Sequence, residues 1–231
     1  MLKIRWIGQS GYILRDKDTE ICIDPYLSNV VNRVANRPRM VEAPFNPQDL
    51  ESDIVICTHN HLDHVDVDAI SLMEKSDKLF LAPKDAERTL IECGVLNYKS
   101  FEEGTVYRIG GFVIEAVFAK HSVPAVGVVV KYKGITLYFS GDTEYDEKLE
   151  TFKSHDIDIM FVCINGKLGN MNVEDAVKLT NIIVPKVGVP THYGMFESNT
   201  ENPDKYTSLL KCGFEMKYNQ EYDVSEVIKN V

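Results

Sequence analysis

This chain of 231 residues has no apolar run approaching the roughly 20 residues a membrane helix needs. Its opening segment, Met1-Leu2-Lys3-Ile4-Arg5-Trp6, holds no apolar stretch long enough for a signal peptide. The five cysteines, Cys22, Cys57, Cys93, Cys163 and Cys212, form no Cys-x-x-Cys pair, and their odd number argues against a disulfide framework. Most lie in apolar runs such as Ile54-Val55-Ile56-Cys57 and Met160-Phe161-Val162-Cys163, as small core residues of a reducing compartment do. A cytoplasmic protein is expected. Positive charge is also short: 25 Lys and Arg against 35 Asp and Glu give a net charge of -10, which disfavours gripping nucleic acid through its phosphates. No sequence repeat and no linker is visible, so residues 1–231 are expected to form a single domain.

What is present suits a folded protein: 44% hydrophobic and 26% charged residues can build one sizeable core. Lys3 to Ile7, Tyr12 to Arg15 and Glu20 to Ile23 read as strands separated by turn chemistry, with Asp24-Pro25 stopping the third. Residues 28 to 49 read as a polar loop with three prolines and three arginines. Asp53 to Cys57 and Leu79 to Ala82 read as strands, and Val67 to Lys75 and Lys84 to Cys93 have helical spacing, with Gly94 as a stop. Thr105 to Ile109, Phe112 to Phe118, Val126 to Tyr132 and Thr136 to Phe139 look like strands joined by Gly110-Gly111 and Lys133-Gly134 turns. A helix over Tyr145 to Lys153 and a strand over Ile157 to Ile164 follow. Next come a helix from the cap Asn172 to about Ile183, a strand over Val187 to Pro190 and a helix over Asp204 to Cys212. Each half runs through strands and then strands alternating with helices. This pattern predicts an α/β architecture, two mixed β-sheets packed face to face with helices outside (an αββα sandwich).

Histidine is scarce as well, at six residues, yet three of them fall in Thr58-His59-Asn60-His61-Leu62-Asp63-His64. Imidazole and carboxylate together suit zinc, manganese or iron, and packing alone rarely produces so dense a cluster, because each buried imidazole needs a polar partner. His121, Asp142 and His192 each lie just beyond the carboxyl end of an apolar strand, as His59 does. Taken singly, each of the three would pass for a structural residue or a turn. Together they point to one sheet edge, where sites are commonly built. His155 is left over and reads as a surface residue.

The spacing favours two ions. His59 and His61 are two apart, so an extended loop puts both on one side, while the adjacent Asp63 and His64 project differently and could serve a second metal. His121 completes the first site and His192 the second, and Asp142 could bridge through its two oxygens. Each ion then has about three protein ligands and keeps room for water, the mark of a catalytic site.

The run His59-x-His61-x-Asp63-His64 with His121, Asp142 and His192 resembles the motif set of the metallo-β-lactamase superfamily. Within it, Thr58 to Val67, Ser140-Gly-Asp-Thr-Glu-Tyr145, Ile157-Asp-Ile with Asn165-Gly166-Lys167, Trp6-Ile-Gly-Gln-Ser-Gly11 and Ile23-Asp-Pro25 are similar to the L-ascorbate-6-phosphate lactonase branch. The resemblance implies the sandwich fold and a two-metal hydrolase, with zinc or manganese as cofactor. It implies His59, His61 and His121 on one ion, Asp63, His64 and His192 on the other, and Asp142 between. The chemistry expected is attack by a metal-bridging hydroxide on a lactone, ester or phosphoester, with Asp63 as the catalytic group that orients the water and accepts its proton. Arg33, Arg37, Arg39, Lys120 and Lys167 are candidate anchors for a phosphorylated substrate, and Asn165 and Tyr193 candidate hydrogen-bonding groups. A phosphodiesterase or nuclease of the same superfamily, or a non-enzymatic metal-binding protein, are the alternatives. The expected partner is a small molecule, with no nucleic acid and no membrane; homo-oligomerisation is left open.

Overall fold

The computed structural model describes residues 1–229. β1 (Lys3–Gly8), β2 (Gly11–Arg15) and β3 (Glu20–Ile23) form an antiparallel meander, to which β4 (Ile54–Ile56), β5 (Leu79–Ala82) and β6 (Tyr98–Ser100) add in parallel. The second sheet repeats the plan: β7 (Val106–Ile109), β8 (Phe112–Phe118), β9 (Val126–Tyr132) and β10 (Ile135–Phe139) run antiparallel, and β11 (Ile159–Cys163) and β12 (Val187–Thr191) continue in parallel. β13 (Glu221–Asp223) returns to the first sheet beside β1. Both sheets are therefore mixed, and the expected α/β sandwich is the fold observed.

The alternation of side chains explains the layers. Ile54 and Ile56 join Ile21, Ile23, Val128, Val130 and Phe161 in the main core, whereas Val55 and Cys57 turn to the opposite face. There they meet Ala69 and Ile70 of α2 (Val67–Leu72) and Leu90 of α3 (Glu87–Glu92). A strand buried on both faces reads as an uninterrupted apolar run, and each such side chain contributes about 1.5–3 kcal/mol of burial. On the second sheet, α4 (Val173–Ile183) buries Ala176, Leu179 and Ile183 in the main core, and its cap Asn172 accepts the Asp175 amide at 2.8 Å.

The structure departs from the sequence pattern at short elements. The polar loop at 28 to 49 contains α1 (Val30–Ala35), with Val30 and Val31 buried, and a short 3-10 helix at Pro47–Asp49. β6, β13 and α6 (Val224–Lys229) carry too few apolar residues to announce themselves. The helix expected from Tyr145 is a 3-10 helix over Glu147–His155, and its start is set by Asp146, which accepts the Lys148 amide at 3.0 Å. The last expected helix shrinks to α5 (Asp204–Thr207); beyond it the Leu209 and Leu210 amides reach back only three residues, to Tyr206 and Thr207. His155 is half-buried rather than on the surface, packed edge-on against Phe152 and 4.0 Å from the Glu115 carboxylate. Among the described residues no helix is long and apolar enough to cross a membrane.

Candidate metal centre

β4 ends at Ile56 and delivers the chain through Cys57 and Thr58 into the histidine cluster. His121, Asp142 and His192 follow the ends of β8, β10 and β12. Two backbone links fasten the sheets at this edge: the Val126 amide donates to Thr58 O at 3.1 Å, and the His192 amide to Gln9 O at 3.1 Å. All seven side chains converge there. Three groups have potential ligand atoms within 4.8 Å of one another: His59, His61 and His121; His59, His64 and Asp142; and Asp63, His64 and His192. His61 Nδ1 is 2.9 Å from His59 Nε2 and 3.3 Å from His121 Nε2. Asp142 lies between the remaining imidazoles, Oδ1 at 3.3 Å from His64 Nε2 and Oδ2 at 3.1 Å from His192 Nε2.

The electrostatics divide the histidines. Burial pushes His59 well below its ordinary pKa, with His64 adding to the effect, and burial lowers His61 as well. Burial, the largest single influence, acts downward on His64 and His192 too, but the carboxylates around them together outweigh it, Asp142 with Asp24 and Asp63 on His64 and Asp142 with Asp63 on His192, so both are raised, His64 well above its usual range. Asp142, which burial alone would raise, is held well below the usual carboxylate range by His192 and His64.

The residues fit a metal. His64 Nδ1 donates to Asp24 Oδ2 at 2.8 Å, which leaves Nε2 buried, facing Asp142 and Asp63 with no hydrogen-bond partner. An imidazole whose far nitrogen is fixed by a carboxylate and whose near nitrogen is bare is arranged as a ligand. His121 is held likewise, its Nδ1 donating to Gly169 O at 3.0 Å. Gly169 must be glycine for this approach: its φ is 88°, and a Cβ there would sit 2.9 Å from His121 Nδ1.

Several of these supports escape sequence reasoning. Asp24 reads as a strand stop, yet it is fully buried and also accepts the Thr58 amide and hydroxyl at 2.7 and 2.8 Å. Gln9 reads as a turn residue, yet its amide donates to Asp63 Oδ2 at 2.7 Å and lies 3.2 Å from His192 Nε2, while its own Oε1 is buried without a partner. Gln9, Asp24 and His192 all hold left-handed backbone, with φ of 52°, 46° and 61°. Strain of this kind persists where surrounding bonds over-determine it. Asp66, the cap of α2, accepts from the Leu27, Ser28 and Ala69 amides and the Ser28 hydroxyl, tying the loop before α1 to the metal motif. The signal for Asp24 was available: a carboxylate just past an apolar strand, as for Asp142.

A cavity of about 500 Å³ opens over His61, Asp63, Asp142 and His192, bordered by Val31, Leu62, Leu168 and Phe196 and by Arg37, Ser122 and Asn199. Of the residues expected to contact substrate, Tyr193, Asn165 and Lys167 do not line it. Tyr193 packs at a tilt against Trp6 with ring centroids 4.8 Å apart and borders a separate cavity with Met216 and Tyr218. Asn165 is buried and donates to Asn199 Oδ1 at 2.8 Å, so Asn199 rather than Asn165 presents at the cavity. Lys167 donates to Ser198 O at 3.1 Å and borders a different groove.

Over residues 3–192 the sequence matches the family described as the Beta-lactamase superfamily domain. It is 26% identical over 226 residues to an Archaeoglobus fulgidus protein named a UPF0173 metal-dependent hydrolase, the match covering 91% of each chain. Among solved structures, the metallo hydrolase Igni18 of Ignicoccus hospitalis gives a TM-score of 0.76 at 20% identity over 96% of this chain and 97% of that one. An isothiocyanate hydrolase from Delia radicum gut bacteria gives 0.79 at 19% identity over 96% and 98%. At these identities the likeness is one of fold.

Proposed function

The chain belongs to the metallo-β-lactamase superfamily and is a metal-dependent hydrolase of that superfamily, and from that premise we propose that its seven converging ligands hold two divalent ions, zinc or manganese, for hydrolysis of a lactone or other ester. The observation that supports this best is the overlap of the ligand groups: His59 and His64 are each shared between two of them, and both sets open into one cavity. In this assignment His59, His61 and His121 hold one ion, Asp63, His64 and His192 the other, and Asp142 both. Divalent cations at such a site supply Lewis acidity toward a carbonyl oxygen and lower the pKa of a coordinated water, to roughly 7 in zinc sites.

The protein's own groups organise the rest. Gln9 fixes one oxygen of Asp63, and among the described residues no protein donor reaches the other, Oδ1. That oxygen is free to orient water and take its proton. The similarity to L-ascorbate-6-phosphate lactonases extends the proposal to a phosphorylated lactone. The isothiocyanate hydrolase shows that this fold also serves another electrophile, so the cavity rather than the fold selects the substrate. We take the partner to be a small molecule, not nucleic acid or a membrane, and the compartment to be the cytoplasm, which suits five free cysteines.

Elemental analysis of protein purified without added metal, followed by a panel of esters, lactones and phosphodiesters, tests the proposal. Two equivalents of metal and turnover of an ester or lactone are expected. His61→Ala and Asp142→Ala should each lose metal and turnover together, and full activity in Asp142→Ala would sink the scheme.

A further inference from the structure

Five cations were candidates to anchor a negatively charged substrate, and their surroundings now separate them. Arg33 is bound by Asp68, its Nε and Nη2 donating at 3.0 and 2.6 Å. Arg39 donates to the Val41, Tyr26 and Ser28 carbonyls and lies 4.4 Å over the Tyr26 ring. Lys120 faces Glu144 and Asp146 at 3.8 and 3.7 Å. Lys167 is turned away to Ser198 O. Only Arg37 lines the cavity over the metal ligands, and it has no ion pair or hydrogen bond among the described residues. Its backbone is nonetheless held on both sides. Asn36 closes α1 in left-handed conformation with its amide on Asn32 O, and Arg39 and Met40, whose amide donates to Met195 O, pin the chain beyond Pro38. Arg37 is exposed, so its unpartnered guanidinium on a fastened loop is available to an incoming acceptor.

The remaining walls say what accompanies that acceptor. Val31, Leu62, Leu168 and Phe196 are apolar, against two neutral polar side chains, Ser122 and Asn199, and Leu168 is 60% exposed beside an open cavity. A polyhydroxylated body would leave its hydroxyls unpaired against these side chains, whereas an alkyl or aryl body gains by covering them. We infer that Arg37 is the specificity-determining residue of this site, and that the substrate is an ester or lactone with an apolar body and an anionic group, carboxylate or phosphate, at the end remote from the scissile bond. This rests on the hydrolytic role proposed above.

Two matched probes test it on metal-loaded protein: mono-4-nitrophenyl adipate, which ends in a carboxylate, and 4-nitrophenyl hexanoate, which does not; a mono-4-nitrophenyl ester of 6-phosphonohexanoic acid compares phosphonate with carboxylate. The anionic esters should be preferred in kcat/KM, mainly through KM. Arg37→Ala should cost them about tenfold and leave the hexanoate within about twofold, with Arg37→Lys intermediate. Equal loss on both classes, or no loss on either, overturns the role of Arg37 while leaving ester hydrolysis intact. Calorimetric binding of 1-hexanesulfonate, a weak metal ligand, reads the same residue without turnover. Binding that Arg37→Ala abolishes, with no probe hydrolysed, would retain the anionic ligand and discard ester hydrolysis. Absence of both binding and turnover discards both.

Discussion

A single carboxylate, Asp24, decides which nitrogen of His64 faces the centre. Its bond at 2.8 Å fixes the proton on Nδ1 and leaves Nε2 for a metal. Asp24→Asn should therefore lower metal affinity about 10- to 100-fold while the fold is retained, as measured by competition with a chromophoric chelator. Unchanged affinity would remove Asp24 from the centre. The candidate ligands were legible because imidazole and carboxylate announce their chemistry by type, and four of them are packed between His59 and His64. Gln9 and Gly169 were not, because an amide in a turn and a glycine in a loop have many uses. Only the position of Asp63 2.7 Å from Gln9 Nε2, and of His121 Nδ1 3.0 Å from Gly169 O, assigns one. The same limit applied to Asn165, Lys167 and Tyr193: nearness in sequence to a metal loop does not say on which side of it a side chain emerges.

At the scale of the element, strands were the readable part. Ile54 to Ile56 and Ile159 to Cys163 are buried on both faces, so they appear as unbroken apolar runs that only a covered sheet can use. α1 and β6 failed to register because six and three residues give too little periodicity to detect. α4 registered through its cap and its apolar stripe, but its end carries a cost. Val184 closes the helix at φ 58° with its side chain 66% exposed, and a β-branched residue is poorly suited to left-handed backbone. Val184→Gly should raise stability by about 0.5–1 kcal/mol, the relief of strain exceeding the entropy that glycine adds to the unfolded chain. In a chain of this size that is about 1–4 °C in Tm by calorimetry, and a fall in Tm would contradict it.

For the molecule as a whole, the centre joins the carboxyl ends of strands from both sheets, so its charge state bears on the stability of the entire sandwich. In metal-stripped protein His59 and His61 are lowered and His64 and His192 raised relative to an unfolded histidine near 6.5. Below about pH 6.5 the unfolded chain takes up protons that His59 and His61 refuse in the fold, so stability falls toward acid. Above it the unfolded chain releases protons that His64 and His192 retain beside Asp142, so stability falls toward alkali as well, until their raised values are passed. Denaturant unfolding of stripped protein should show a maximum near pH 6.5, and a steady rise or fall across that point would refute it. Metal should stabilise the protein most on the alkaline side, because bound ions require the deprotonated ligands. The sequence alone determined the candidate ligand types, the strands that present them and the layered α/β architecture, because metal affinity and two-face burial are properties of residue type and period. Tertiary structure alone decided which nitrogens of His64 and His121 face inward, that Gln9 holds Asp63, and that Arg37 is the one candidate anchor lining the cavity. Those are distances between segments far apart in the chain, set only when the two sheets close on one another.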